Sequence, residues 1–219
     1  MGKPSIVSEE TFADYLDAVL TGDLPRCRRI VQSLIDADVE VADLYKNLFH
    51  RAQYAIGELW EKNRISVAKE HLATSITESL MTLVYPKLFR GERSGRKVVV
   101  SSAPNEYHQI GGKMVADIFE AHGWDSHFLG ANTPVERLLD ELRRRQPDLL
   151  VFSVALPTGV PRVLGALHTV RTEFPALPVL AGGKAIADGA GEELAAEPGV
   201  TLMTTLDELE AFLTEATPA

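Results

Sequence analysis

Lys97-Val-Val-Val-Ser-Ser102, followed by Ala103-Pro-Asn-Glu-Tyr-His-Gln-Ile-Gly-Gly112, is the stretch that decides the fold of this chain. A short β-branched run that ends in a polar, glycine-containing segment is typical of a buried strand that leads through a loop into a helix. Open α/β sheets bind ligands at the carboxyl ends of their strands. The pattern therefore places His108 at the edge of a sheet where ligands bind, just before a helix.

The rest of the C-terminal region repeats this alternation of short β-branched runs with longer amphipathic segments. Further strands are predicted at Asp125–Leu129, Asp148–Ser153, Val179–Ala181 and Val200–Met203. Strands separated by helices predict an α/β domain over residues 96–219, with a five-stranded parallel sheet that is doubly wound and flavodoxin-like. The loops expected to bind ligands start near Ser102, Gly130, Ser153 and Gly182.

Residues 1–90 are predicted to be all-α. Apolar residues recur at helical spacing in two segments, Leu44, Leu48, Ala52, Ala55, Leu59 and Leu72, Ile76, Leu80, Leu83. Two shorter helices are predicted at residues 8–21 and 25–36, with Ser8 and Asp23 as N-caps and Gly22 between them. Together they predict a four-helix bundle over residues 1–90, joined by a polar, glycine-containing linker at 91–95 to the α/β domain.

Composition excludes several classes of function. The formal net charge of -9 disfavours nucleic acids and anionic membranes, because both partners are held largely through Lys and Arg. The single cysteine, Cys27, cannot form an internal disulfide, and neither a signal peptide nor a membrane span is recognisable. We expect a cytoplasmic protein that by itself binds no nucleic acid and no membrane.

The loop around His108 has the chemistry of an axial metal ligand. Glu106 can accept a hydrogen bond from the imidazole nitrogen that does not bind the metal, which fixes the tautomer and raises ligand basicity. Gly111 and the following glycine would let a bulky planar ligand approach the backbone. One histidine with one carboxylate is a poor zinc site, since zinc takes three or four protein ligands. The pair suits a metal that a macrocycle already holds and that lacks one axial donor.

These residues resemble the signature of the cobalamin-binding domain of methionine synthases and corrinoid proteins, Asp-x-His-x-x-Gly, then Ser-x-Leu, then Gly-Gly. The counterparts are Glu106-Tyr-His108-Gln-Ile-Gly111, Ser153-Val-Ala155 and Gly182-Gly183, with Glu in place of Asp and Ala155 in place of leucine. The resemblance implies that His108 binds cobalt in place of the cofactor's benzimidazole. It also implies that the nucleotide tail enters a slot lined by Ser153, Gly182 and Gly183.

The alternative interpretation is that His108 is a surface residue at a helix start and that the paired glycines form an ordinary turn. Two other uses of such a sheet are disfavoured by the first strand. No acidic pair follows it, as a phosphoacceptor domain would need, and no Gly-x-Gly-x-x-Gly follows it, as a dinucleotide-binding domain would need.

The helical domain carries a second motif, Leu59-Trp-Glu-Lys-Asn-Arg-Ile-Ser-Val-Ala-Lys-Glu-His-Leu72. Trp60 followed after nine residues by Glu70-His71 resembles the upper-face motif of CarH-like adenosylcobalamin photoreceptors. An indole supplies a flat apolar wall, and a carboxylate accepts hydrogen bonds from ribose hydroxyls or the adenine amine. The resemblance implies that the helical domain caps the upper face of the corrin. The alternative is a core tryptophan and a solvated first helical turn.

Two departures from those photoreceptors alter the expected output. They begin with a MerR-type DNA-binding domain, which is not predicted here, and the residue after the tryptophan is Glu61 instead of a histidine. Stand-alone cobalamin photosensors are a closer comparison, and some also hold a bilin such as biliverdin, for which Cys27 is the only candidate thioether anchor.

The leading hypothesis is a cobalamin-dependent photoreceptor that is not an enzyme and has no catalytic residues. It would hold adenosylcobalamin between His108 and the group Trp60, Glu70 and His71, and signal through a protein partner or a homo-oligomer. The alternatives are a corrinoid protein of a methyltransferase system and a cobalamin binding or storage module.

Overall fold

A computed structural model describes residues 7–89 and 92–216, which fall into two compact units, Met1–Arg90 and Gly91–Ala219. The described part of the first unit is helical, and the second contains a parallel sheet with helices, so the predicted fold class is confirmed. The predicted linker at 91–95 begins at Gly91, which lies outside the described residues. No helix in the described ranges is long and apolar enough to span a membrane.

The described residues of the helical unit form four main helical segments. Its elements are α1 (Glu9–Thr21), α2 (Leu24–Asp36), α3 (Val41–Leu44), a π-helical segment (Tyr45–His50), α4 (Arg51–Glu61), α5 (Val67–Met81), a 3₁₀ turn (Thr82–Val84) and α6 (Tyr85–Leu88). The predicted N-caps are confirmed, because Ser8 accepts a hydrogen bond from Thr11 N and Asp23 accepts one from Arg26 N. Gly22, with φ of +75°, ends α1 in the left-handed conformation that glycine tolerates.

The π-helical segment changes which residues of the third predicted helix are buried. Tyr45 and Phe49 lie in the core, with their ring centroids 5.7 Å apart. Beyond this segment Ile56 is fully buried, whereas Ala55 and Leu59, predicted as core, are only half-buried. A π-helical turn holds more residues than an α-helical turn, so the apolar face rotates relative to a regular helical pattern.

The α/β unit places strands and helices in alternation. Its elements are β1 (Lys97–Ser102), α7 (Ile110–Ala121), β2 (Asp125–Phe128), α8 (Val135–Arg145), β3 (Leu149–Ser153), a 3₁₀ turn (Pro157–Gly159), α9 (Val160–Arg171), β4 (Val179–Gly182), α10 (Lys184–Ala187), α11 (Glu192–Ala195), β5 (Val200–Met203) and α12 (Leu206–Ala216). All neighbouring strands are parallel, in the order β2-β1-β3-β4-β5. This is the flavodoxin-like order, in which ligands bind beyond the carboxyl ends of the strands.

The register of the sheet brings small residues into one row at that edge. Ser102 pairs with Ser153, Ser153 with Gly182, and Gly182 with Met203. Side chains alternate between the two faces of a strand, so these residues share one face. The other face is packed into the core through residues such as Phe152. The row therefore gives the edge a stretch of small residues, Ser102, Ser153 and Gly182, that ends at Met203.

Candidate cofactor site

His108 lies in the loop after β1 and is hydrogen-bonded to Glu106. His108 Nδ1 is 3.1 Å from Glu106 Oε1, so the expected carboxylate–imidazole contact is present. Glu106 is 3% exposed, whereas the His108 side chain is 54% exposed. Because Nδ1 engages the carboxylate, Nε2 is the nitrogen that would bind a metal. The arrangement is a solvent-accessible imidazole oriented by a buried carboxylate.

Backbone groups hold this carboxylate from the neighbouring strand end. Ala155 N donates to Glu106 Oε1 over 3.0 Å. The bond uses the main chain, so the replacement of the family's leucine by Ala155 does not affect it. Asn132 N donates to the Glu106 carbonyl over 2.9 Å, and Ser102 Oγ donates to the His108 carbonyl over 3.1 Å. Ser102 and Asn132 thus support the His108 loop, and no sequence motif predicts this role for either residue.

The second carboxylate oxygen of Glu106 lies against Gly159. Among residues 7–89 and 92–216, Glu106 Oε2 is one of the buried polar atoms that have no hydrogen-bond partner. A Cβ atom at Gly159 would lie 3.0 Å from this oxygen and 2.9 Å from Val154 Cγ1. Glycine at position 159 has no Cβ atom and so leaves room for the buried Glu106 carboxylate. Oε1 is the Glu106 oxygen that contacts His108 and the Ala155 amide.

The predicted tail-binding residues come together in the structure. Ser153 and Gly182 are register partners on adjacent strands. A Cβ atom at Gly111 would lie 3.4 Å from Ser153 Oγ, which brings the start of α7 next to the same serine. Gly183 follows directly at the end of β4. Ser153, Gly182, Gly183 and Gly111 therefore share one neighbourhood, although their binding role stays a prediction.

The glycines also have packing reasons within the chain. Gly183 has φ of +115°, and a Cβ atom there would lie 2.5 Å from the carbonyl oxygen of Val154. A Cβ atom at Gly112 would lie 2.9 Å from Phe128 Cε2. The expectation that the Gly111-Gly112 pair leaves open space for a ligand needs correction at Gly112, because that space is filled by Phe128. Close helix–sheet and loop–strand approach explains both glycines.

In the helical unit, the predicted upper-face residues occupy the end of α4 and the start of α5. Trp60 is 44% exposed, so it is not the core aromatic of the alternative interpretation. The Glu70 side chain is 23% exposed and the His71 side chain 73%, with His71 Nε2 3.5 Å from Glu70 Oε2. Consecutive antiparallel helices joined by a short turn place these three residues at the same end of the bundle.

Cys27 is a poor anchor for a bilin. Its side chain is fully buried in α2, and burial raises the pKa of its thiol to about 11. The reactive form of cysteine is the thiolate, which such a pKa suppresses. The bilin remains a prediction without a covalent attachment site.

The donor set fits a metal that is held by a macrocycle. In the described ranges no group of three or more His, Cys, Asp or Glu side chains could hold a metal ion. The site offers one imidazole, supported by one buried carboxylate, beside a row of small residues at the sheet edge. These residues fit cobalamin, whose cobalt takes its equatorial ligands from the corrin ring.

Known proteins match both units. A family profile described as B12 binding domain matches residues 96–210, and a second profile with the same description matches residues 11–85. Monomethylamine corrinoid protein 1 of Methanosarcina mazei is 22% identical over 200 residues, which cover 88% of this chain and 92% of that protein. The structure of the Methanosarcina barkeri monomethylamine corrinoid protein has the same fold, with a TM-score of 0.79, 18% identity and coverage of 95% and 99%.

A transcriptional repressor also matches over part of its length. The HTH-type transcriptional repressor CarA of Myxococcus xanthus is 28% identical over 134 residues, which cover 61% of this chain and 44% of the repressor. Matches along most of the chain to corrinoid proteins favour the corrinoid-protein alternative over the photoreceptor. The first profile matches more than half of this chain. The chain therefore belongs to the B12-binding domain family and is a cobalamin-binding protein.

Proposed function

We propose that the chain holds cobalamin with His108 as the lower ligand of cobalt and with an upper ligand that the helical unit covers. The observation that carries this proposal is the 3.1 Å contact between His108 Nδ1 and the buried Glu106 carboxylate. It supports a single imidazole donor whose Nε2 faces the cofactor. The small residues Ser153 and Gly182, which are paired at the sheet edge, support the proposal that the nucleotide tail of the cofactor lies beside them.

In this site each protein group has a separate task. Glu106 fixes the His108 tautomer and raises its basicity, and the Ala155 amide keeps Glu106 in place. Ser102 holds the backbone of the loop through the His108 carbonyl. Bound cobalamin supplies a cobalt–carbon bond that can be broken and re-formed. The chain itself binds, orients and shields the cofactor, and we assign it no catalytic residue.

The first candidate use is a corrinoid carrier of a methyltransferase system. It is supported by the similarity to monomethylamine corrinoid proteins along 88% of the chain. Such a carrier exchanges a methyl group with partner methyltransferases, so the helical unit must give those partners access to the cofactor. This similarity supports the carrier better than the light sensor.

The second candidate use is a light sensor that holds adenosylcobalamin. It is supported by the exposed Trp60 beside the Glu70-His71 pair, and by the partial match to the repressor CarA. In this case the chain signals through a changed packing of the helical unit, read by a protein partner or a homo-oligomer.

Spectra of the reconstituted protein separate the two uses. The protein is loaded in the dark with adenosylcobalamin or methylcobalamin, and the visible spectrum is followed with and without light. Light breaks the cobalt–carbon bond of any alkylcobalamin, so a changed spectrum alone does not identify a sensor. A sensor also changes its size-exclusion volume under light, with kinetics that differ in Trp60→Ala but not in Phe89→Ala, which removes another exposed aromatic of this unit. A carrier loses its methyl group in the dark when partner methyltransferases and an acceptor are added. A protein that does neither is a storage module.

A further inference from the structure

A chain of polar side chains crosses the helical unit and ends at Glu70. It begins at Tyr15 of α1, whose hydroxyl lies 3.1 Å from Thr77 Oγ1 of α5. Gln53 of α4 continues it, with its Nε2 3.0 Å from Thr77 Oγ1 and its Oε1 2.8 Å from Thr74 Oγ1. Thr74 Oγ1 lies 2.9 Å from Glu70 Oε1. Three helices are thus joined to one carboxylate.

The exposure of these side chains rises along the hydrogen-bonded path, from Tyr15 to Glu70. Tyr15 and Thr77 are 0% exposed, Gln53 and Thr74 are half-buried, and the Glu70 side chain is 23% exposed. Burial raises the pKa of Tyr15 far above its ordinary value, so its hydroxyl stays protonated. A bundle core can be packed with apolar residues alone, and buried polar groups destabilise it unless each has a partner. A connected polar path that leads outward to a carboxylate is therefore more than core filling.

The hydrogen bonds of the path meet at Thr74. Thr77 Oγ1 donates to the Ala73 carbonyl over 3.1 Å, so its oxygen accepts from Tyr15 and from Gln53 Nε2. These bonds fix the Gln53 amide with its Oε1 on the side of Thr74. The single proton of Thr74 Oγ1 lies between two acceptors, Gln53 Oε1 and Glu70 Oε1, and so ties the carboxylate to the amide.

We propose that Gln53 and Thr74 are positioning residues that hold the Glu70 carboxylate as a hydrogen-bond acceptor for the upper ligand of cobalamin. A fixed carboxylate favours an upper ligand that carries hydroxyl or amine donors, as a nucleoside does, over a methyl group, which has none. The inference rests on the proposed cobalamin site and on the helical unit covering the upper ligand. It favours the second candidate use over the first.

The test is the ratio of affinities for adenosylcobalamin and methylcobalamin, measured in the dark by equilibrium titration. Thr74→Val keeps the shape of the side chain and removes its hydroxyl. We expect it to lower the preference for adenosylcobalamin about five- to tenfold, which corresponds to the loss of one ordinary hydrogen bond. Thr74→Ser keeps the hydroxyl and should restore the wild-type ratio. A purely structural role would weaken the binding of both corrinoids equally.

Two controls keep the result interpretable. Thr82→Val makes the same substitution on the same unit, where the hydroxyl donates only to the Ser79 carbonyl, and it should leave the ratio unchanged. In a Glu70→Gln background, Thr74→Val should have little further effect, because Thr74 acts through Glu70. Thermal unfolding of the cofactor-free variants shows that each one folds.

The outcomes separate this inference from the proposed function. If the wild-type protein binds neither corrinoid, the proposed function itself is refuted. If it binds both and Thr74→Val keeps the wild-type ratio, the positioning role is wrong while the cobalamin site stands. An equal loss in Thr74→Val and Thr74→Ser also overturns it, because the serine retains the hydroxyl.

Discussion

The His108 loop and the corner formed by Trp60, Glu70 and His71 are built in different ways. In the α/β unit, Glu106 is held by a backbone amide, and the residues at the sheet edge are set by strand register. In the helical unit, Trp60 and His71 extend into solvent from helix ends, and only Glu70 is tied inward through Thr74. The surroundings of His108 are preformed by the fold, whereas the helical corner depends on a few side chains.

This difference shows which part of the site can vary without loss of the fold. A residue fixed by backbone contacts links binding to folding, so its replacement affects both. An exposed side chain at a helix end contributes little to folding, so its replacement can change the upper ligand alone. Membership of the family accounts for cobalamin binding, and in the proposed uses the helical corner is where a carrier and a sensor would differ.

The largest expected effect is at the sheet edge. Gly183→Ala should lower the free energy of unfolding by about 2–4 kcal/mol, because alanine is strained at positive φ and its Cβ would press on the Val154 carbonyl. Urea unfolding of the whole chain measures this. Gly165→Ala is the matched control, because a Cβ atom meets nothing there within 4 Å, and in a helix it should stabilise by about 0.5–1 kcal/mol. Equal stability of the two variants would show that the edge is not preformed.

The next effect concerns the carboxylate behind His108. Glu106→Gln keeps an acceptor for the Ala155 amide and for Nδ1 but removes the charge. We expect it to weaken imidazole binding to cobalt about ten- to hundredfold, as is usual for groups that orient metal ligands. Titration with cobalamin, followed by the spectrum of the imidazole-bound form, measures this. An unchanged affinity would mean that Glu106 serves only to fold the loop.

The smallest effect is expected in the helical corner. Trp60→Ala should lower the unfolding free energy of the cofactor-free protein by about 1 kcal/mol, less than the roughly 3–5 kcal/mol expected for a core tryptophan, because the indole is 44% exposed. Thermal or urea unfolding without cofactor checks this. A large loss of stability would make Trp60 part of the bundle core and would remove the contrast between the two corners.

The sequence predicts the sheet well because its signals are local. The predicted bounds of β1 and β5 agree with the structure to the residue, and the β-branched run before Ser102 explains why. The partner of His108 was also predictable, since Glu106 lies only two residues away. Trp60, Glu70 and His71 could be placed at helix ends from the spacing of apolar residues, although their roles stay predictions.

Contacts between distant residues could not be predicted in this way. The Ala155 amide supports Glu106 from 49 residues away. Every residue except proline has such a backbone donor, so the residue type at position 155 does not indicate this hydrogen bond. Tyr15 and Thr77 meet across 62 positions, so the polar path to Glu70 emerges only when the helices are packed. The π-helical segment Tyr45–His50 likewise has no local signal, and it shifted the buried face from Ala55 to Ile56.

The most direct test of the account is the ligand that His108 gives to cobalt. The protein is labelled with 15N-histidine and loaded with cob(II)alamin. Its electron paramagnetic resonance spectrum should show the doublet splitting of a 15N imidazole instead of the triplet of the cofactor's 14N benzimidazole, and His108→Ala should abolish the doublet. His122→Ala, which alters a histidine paired with Glu210 in the same unit, should leave the splitting intact. A spectrum that is identical in wild-type protein and His108→Ala would contradict the central claim that His108 binds the metal.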